Sequence, residues 1–302
     1  MSVVEKTIRK LQEDKRAHVE ANAVPHPHRL SEPAQPAPPF VVPPHPAAQR
    51  TLGVPIALDR GVLRGAGLLP PEPDMKALAR QYRNIKHPLL AQAVGRGVPR
   101  APKGYLIMIA SAMSGEGKSF TSVNLALSLA LEKDINVLLV DADVAKPQLS
   151  HVLGLGQARG LLDALRENDL DVEALIHPTD VPNLSFLPAG AGAEEATELL
   201  SSSRMEQIAA LLGQNDAMRV VVFDSPPLLQ TTESVALARI AGQIVVVVRA
   251  EATPQPVLLD ALKALEGHPS VSLVLNQSMH TPTSSYYYYY GYGAERPDAG
   301  QP

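Results

Sequence analysis

The chain has 302 residues, a formal net charge of −4 and no cysteine. The lack of a basic surplus argues against nucleic-acid binding, and the lack of cysteine excludes disulfides and thiolate metal sites. The longest apolar runs, such as Ile244–Val248, are far shorter than the roughly 20 residues of a membrane-spanning helix. We therefore expect no transmembrane segment and a cytoplasmic location.

Three segments precede the first predicted strand. Residues 1–21 are charged and have apolar positions at helical spacing, which predicts a short helix. Residues 22–56 are crowded with proline and predict a semi-extended linker. Residues 57–102 contain a second helical pattern from Asp74 to Ala93, which we expect to dock or oligomerise. Pro88 is expected to break or kink that helix.

From residue 103 to residue 281, apolar runs of strand length alternate with helical patterns. Continuous apolar strands are typical of a parallel sheet that is buried on both faces, and the alternation predicts a doubly wound, mostly parallel α/β domain. The predicted strands are Tyr105–Ala110, Val137–Val140, Leu184–Leu187, Val220–Phe223, Ile244–Val248 and Val271–Leu275. The predicted helices include Ser119–Glu132, Glu194–Leu212, Glu233–Ala241 and Pro256–Glu266.

The first predicted strand leads into a loop of the phosphate-binding type, Ser111–Ser119, which predicts a P-loop NTPase. Gly115 and Gly117 let backbone N–H groups surround phosphate oxygens, and the following helix N-terminus adds its positive dipole. Lys118 is expected to reach the β- and γ-phosphates, and Ser119 to ligate Mg²⁺. The predicted ATP-binding residues of the loop are Ser114, Gly115, Glu116, Gly117, Lys118, Ser119 and Phe120.

Acidic side chains follow two further strands. Asp141 and Asp143 end the second strand, where carboxylates two residues apart can both approach one Mg²⁺–phosphate site. Asp224 follows four apolar residues and matches the Walker B aspartate, which holds Mg²⁺ directly or through water. Asn276 follows the last strand and is predicted either to contact the adenine base or to cap the strand.

The final segment, residues 282–302, contains six of the eight tyrosines of the chain. A packed core distributes its aromatic residues among its helices and strands, so this run indicates chemistry on phenol hydroxyls. Beside a nucleotide site, it predicts a substrate attached to its own kinase; a disordered low-complexity tail is the alternative. The candidate phosphoacceptors are Tyr286, Tyr287, Tyr288, Tyr289, Tyr290 and Tyr292.

Together, the phosphate loop, the two acidic motifs and the tyrosine run resemble those of the bacterial tyrosine kinases of exopolysaccharide assembly. The opening residues 1–6 and the segment 81–90 are most similar to the subgroup encoded beside exosortase systems. The resemblance implies ATP-dependent phosphorylation of the C-terminal tyrosines on a neighbouring subunit of a ring, which regulates polysaccharide polymerisation and export. It also implies a separate transmembrane co-polymerase that holds the protein at the inner face of the membrane, and a cognate tyrosine phosphatase.

The resemblance also implies roles for four side chains. Asp141 would orient or deprotonate the attacking phenol. Asp143 and Asp224 would hold Mg²⁺, and Lys118 would stabilise charge on the transferred phosphoryl group.

Two positions depart from the family pattern. Ala145 and Lys146 stand where arginines often follow the Asp-x-Asp motif. Arg80, Arg83 and Lys86 occupy the positions of a Glu-x-x-Arg-x-x-Arg motif that forms the ring in relatives, so the glutamate that would hold a ring through this ion pair is replaced by arginine.

Two other functions fit part of the pattern. A partitioning or division-site ATPase of the same fold would carry a signature lysine early in the phosphate loop, where this chain has Met113. A nucleotide-stabilised adaptor without catalytic activity is the other alternative, and the intact Lys118 and Asp224 argue against it.

Overall fold

The computed structural model describes residues 53–278, except residues 215 and 217. The predicted segment 1–21, most of the linker 22–56 and the tail 282–302, with all six candidate phosphoacceptor tyrosines, lie outside the described residues. No helix in the described part is long and apolar enough to cross a membrane.

Within the described residues there are seven strands: β1 (Leu106–Ser111), β2 (Asn136–Asp141), β3 (His177–Pro178), β4 (Leu184–Leu187), β5 (Arg219–Asp224), β6 (Gln243–Arg249) and β7 (Val271–Asn276). They form one sheet in the order β3-β4-β2-β5-β1-β6-β7. All neighbouring strands are parallel except β3, which runs antiparallel to β4. The six predicted strands are confirmed with ends that differ by no more than one residue, and only the two-residue β3 lacks a predicted counterpart.

Helices flank both faces of this sheet, as the predicted doubly wound fold requires. They are α1 (Arg60–Gly65), α2 (Met75–Val94), α3 (Lys118–Leu129), α4 (Gln148–Val152), α5 (Leu161–Arg166), α6 (Ala196–Leu200), α7 (Ser203–Gln214), α8 (Glu233–Ile240) and α9 (Gln255–Lys263).

The interior strand β1 shows why the strand patterns are continuously apolar. Leu106, Met108 and Ala110 pack into the core on one face of the sheet. Ile107 and Ile109 pack into the core on the other face. Since every residue of β1 is buried, the strand has no solvent-facing side on which polar residues would be favourable.

The predicted helix Glu194–Leu212 is divided, and serines mark the division. A 3₁₀ turn and α6 precede Ser201 and Ser202, and α7 begins at Ser203. The hydroxyl of Ser202 donates to the Leu199 carbonyl oxygen over 2.6 Å, which gives the backbone an alternative to a continuous helix.

Helix α2 runs through Pro88 without interruption, so a break at this residue does not occur. Proline has no N–H to donate to the preceding turn, which costs the helix one hydrogen bond. Tyr82, Leu89 and Leu90 of α2 are buried in the same core as the apolar side chains of α3. This burial outweighs the missing hydrogen bond.

Lys86 joins α2 to the end of α3. Its ammonium donates to the Ser128 carbonyl oxygen over 2.8 Å and pairs with Glu132 Oε1 at 2.9 Å. The hydrogen bond from Lys86, followed by that from Arg96, lowers the pKa of Glu132. Lys86 is therefore engaged within its own chain, whereas the Arg83 side chain is exposed.

Replacing Lys86 by methionine is expected to lower the free energy of unfolding by about 2 kcal/mol, because it removes a buried charged hydrogen bond and keeps the chain length. Urea denaturation measures this loss. The ion pair with Glu132 is fully formed above the ordinary pKa of glutamate and is lost as the pH falls through the lowered pKa of Glu132. The difference in the free energy of unfolding between the unchanged protein and Lys86→Met should therefore become smaller in acid. Arg83→Met is the matched control; an equal loss in both variants would contradict the assignment.

Candidate active site

The phosphate loop connects the carboxyl end of β1 to the N-terminus of α3. Gly115 and Gly117 have φ angles of 82° and 96°, in the left-handed region that glycine adopts without strain. A Cβ at position 117 would lie 2.0 Å from Asn276 Nδ2, so a side chain has no room there. Lys118 begins α3 and is only 7% exposed. This loop has the glycine geometry and the helix N-terminus that a phosphate chain requires.

The strand order brings the acidic residues to the same edge. Strand β5 lies between β1 and β2, and Asp141 at the end of β2 is in register with Asp224 at the end of β5. Both aspartates are almost completely buried, at 0% and 1% exposure. Asp143, two residues beyond β2, is partly exposed. The predicted convergence of these carboxylates with the phosphate loop therefore occurs.

Burial dominates the electrostatics of these carboxylates. It raises the pKa of Asp141 to about 7, with a further contribution from the charge of Asp224. Burial likewise raises the pKa of Asp224 to about 6. The pKa of Asp143 is raised for the same reason and is lowered in part by Lys118. A cation beside these groups would offset their desolvation and repulsion.

The side chains at this edge fit Mg²⁺ that is shared with a nucleotide. The hydroxyl of Ser119 hydrogen-bonds Asp224, and Ser122 Oγ donates to Asp224 Oδ1 over 2.9 Å. Among the described residues, no group of three or more His, Asp or Glu side chains could hold a metal alone. Mg²⁺ in nucleotide sites uses one or two protein oxygens together with phosphates and water, which agrees with this arrangement.

The two oxygens of Asp141 differ in their surroundings. Oδ2 accepts hydrogen bonds from the N–H and the hydroxyl of Ser150, over 2.8 and 2.7 Å. Ser150 Oγ in turn accepts from the N–H of Ala189. Asp141 Oδ1 is buried and has no hydrogen-bond partner among the described residues. One oxygen is thus fixed, and the other is available to a donor.

Asn276 contacts the phosphate loop directly. Its Nδ2 donates to the Glu116 carbonyl oxygen over 2.9 Å, and its Oδ1 accepts from the N–H of Gln277. The amide therefore joins the end of β7 to the loop.

A cavity of about 1090 Å³ opens beside the loop. One wall comes from α2 and the segment before it, which contribute Leu68, Leu78 and Gln81. The pattern of 57–102 predicts a helix but gives no sign of this position, which depends on the tertiary fold. The predicted site residues that line the cavity are Ser114, Gly115, Gly117, Lys118, Ser119, Phe120, Asp143 and Asn276, and Lys146 lines it as well.

Comparisons with known proteins agree with this geometry. A family model described as an AAA domain matches residues 104–266, more than half of the chain. YwqD, a tyrosine-protein kinase of Bacillus subtilis (strain 168), is 30% identical over 71% of this chain and 85% of its own length. EpsB of Ralstonia nicotianae is 34% identical over 63% of this chain, which spans only 24% of that longer relative.

Among solved structures, the kinase domain of VpsO superposes with a TM-score of 0.56 at 28% identity and covers 68% of this chain and 98% of its own. The described fold, the phosphate loop and these matches agree with one another. The chain belongs to the bacterial tyrosine-protein kinase family, with the AAA-domain form of the P-loop fold.

Proposed function

We propose that the protein is an ATP- and Mg²⁺-dependent tyrosine autokinase that phosphorylates the tyrosines at positions 286–290 and 292 of its own chain. The observation that carries this proposal is the free Oδ1 of Asp141 at the sheet edge that holds the phosphate loop and Asp224. An ATPase that activates only water has no need of six clustered phenols. The tyrosine-protein kinases among the relatives support the same reaction.

In the proposed reaction, the phenol oxygen of a tail tyrosine forms a bond to the γ-phosphorus of ATP. The bond from that phosphorus to the β–γ bridging oxygen breaks, and ADP leaves. The loop N–H groups and Lys118 hold the phosphates and stabilise charge on the transferred group. Bound Mg²⁺, held through Ser119 with Asp143 and Asp224, would neutralise negative charge on the phosphates.

Asp141 accepts the phenol proton through Oδ1, while Ser150 fixes its other oxygen. The pKa of phenol is about 10, so orientation and charge neutralisation supply most of the catalysis. Asp141 is fully buried, so the phenol reaches Oδ1 only when the residues that cover it move.

Transfer to a neighbouring copy is the form of the reaction that we propose. Tyr286 lies ten positions beyond Asn276, a stretch that spans at most about 36 Å, which permits reaction within one chain as well as between chains. We further propose that a separate membrane co-polymerase recruits and activates the kinase, that a cognate phosphatase reverses it, and that the cycle regulates exopolysaccharide assembly. Purification of the tagged protein from solubilised membranes tests the recruitment; recovery without any membrane protein would contradict it.

Replacing all six tail tyrosines by phenylalanine is expected to abolish phosphotyrosine formation and to leave ADP binding unchanged, since the tail is the acceptor and the loop is the nucleotide site. Anti-phosphotyrosine detection after incubation with Mg²⁺-ATP measures the first effect. The other two tyrosines belong to the packed domain, and burial raises the pKa of Tyr82 to about 12.

Tyr105→Phe is the control, since burial also raises the pKa of this half-buried phenol. We expect full labelling in this variant. Labelling that persists in the protein with six phenylalanines would place the acceptor outside the tail.

A further inference from the structure

Glu116 places a carboxylate inside the anion-binding loop. The residue lies between Gly115 and Gly117 and is only 4% exposed. A negative charge at this position repels phosphate, so its side chain does not serve as a direct ligand of the nucleotide. Its contacts indicate a different role.

Both carboxylate oxygens of Glu116 accept hydrogen bonds from the protein. Oε2 accepts from the N–H of Met113 over 2.7 Å, which closes the first turn of the loop. Oε1 accepts from the hydroxyl of Thr253, in the turn between β6 and α9. Hydrogen bonds to an ionised group are about twice as strong as those between neutral groups.

The partners of Glu116 are themselves held in place. Thr253 Oγ1 accepts from the N–H of Arg249 over 3.0 Å while its own proton goes to Glu116. The carbonyl oxygen of Glu116 accepts from Asn276 Nδ2. Because β6 lies beside β1 and β7 lies beside β6, one residue of the loop is fixed both to the turn after β6 and to the end of β7.

We infer that Glu116 is a positioning residue, and that the Glu116 network (Met113, Glu116, Thr253 and Asn276) holds the loop in its phosphate-binding shape before the nucleotide arrives. The glycines allow the loop many conformations. If the loop became ordered only when the nucleotide bound, the loss of conformational entropy would weaken nucleotide affinity. The inference rests on the proposed nucleotide site. It adds Thr253 as a determinant of nucleotide affinity, although this residue does not line the cavity.

Thr253→Val tests this inference, because valine keeps the shape and removes the hydroxyl donor. We expect the dissociation constant for a fluorescent ADP analogue with Mg²⁺ to rise about tenfold, while the melting temperature falls by only a few degrees. In a Glu116→Ala background the Thr253 hydroxyl has no side-chain oxygen at position 116 to donate to, so the same substitution should change the dissociation constant by less than about twofold. Glu266→Gln, at an exposed position, serves as the control and should leave ADP binding unchanged.

An unchanged dissociation constant in Thr253→Val, or an equal loss in both backgrounds, would overturn the inference. A lower melting temperature without a change in ADP affinity would also overturn it, since that result reports stability alone. The readout is independent of tyrosine transfer. Protein that binds ADP with this pattern but labels no tyrosine, either alone or with membranes from the cells that produce it, would therefore contradict the proposed function and support the role of Glu116.

Discussion

Replacing Lys118 by methionine is expected to reduce the initial rate of phosphotyrosine formation by at least about 100-fold. Methionine has nearly the same length, but it removes the buried cation that stabilises charge on the transferred phosphoryl group. It also removes the charge that lowers the pKa values of Asp143 and Asp224. Transfer of labelled phosphate from ATP at saturating Mg²⁺ measures the rate.

Lys263→Met is the matched control, because that side chain is 74% exposed and lies on the surface of α9. An equal rate in Lys118→Met and Lys263→Met would contradict the kinase assignment.

A mixture of the Lys118→Met protein with active protein that lacks residues 286–292 distinguishes transfer within one chain from transfer between chains. Label on the intact tail of the inactive copy shows transfer between chains, whereas its absence supports transfer within one chain.

Replacing Asp141 by asparagine is expected to lower the turnover number by about 100-fold and to leave ADP binding intact or slightly tighter. Asparagine keeps the shape and an oxygen for the Ser150 hydrogen bonds, but it replaces Oδ1 by a group that cannot accept a proton. It also relieves the repulsion between Asp141 and Asp224, which favours binding of an anionic ligand. Parallel kinetics and ADP titrations separate the two effects.

The exposed Asp134 supplies the control for this substitution, and Asp134→Asn should change neither quantity. An Asp141→Asn protein that keeps its turnover number would show that another group receives the phenol proton. A protein that loses ADP binding together with turnover would show that Asp141 acts in nucleotide binding instead.

The strands and the phosphate loop were predictable because their signals are local. A buried parallel strand must be apolar throughout, as β1 is, and Gly115, Gly117 and Lys118 carry the loop geometry within a few residues. The meeting of Asp141 and Asp224 followed from the rule that the carboxyl ends of parallel strands share one edge. These parts of the site depend only on short sequence patterns and on the parallel direction of the strands in the sheet.

The residues that support the site were not predictable, since their contacts join distant parts of the sequence. Thr253 contacts Glu116 across 137 positions. Ser150 is nine positions from Asp141, and only the course of the chain after β2 brings it back to that carboxylate. That α2 continues through Pro88 could not be predicted for the same reason, because the stability of this helix comes from packing against α3 rather than from local propensity.

The most direct test of the central claim is a map of the phosphate on the full chain after incubation with Mg²⁺-ATP, alone and with membranes from the cells that produce it. Mass spectrometry of proteolytic fragments locates each phosphate. We predict phosphotyrosine within residues 286–292 of the active protein and none in the Lys118→Met protein. Release of ADP and inorganic phosphate without any phosphotyrosine in this segment, under both conditions, would contradict the account.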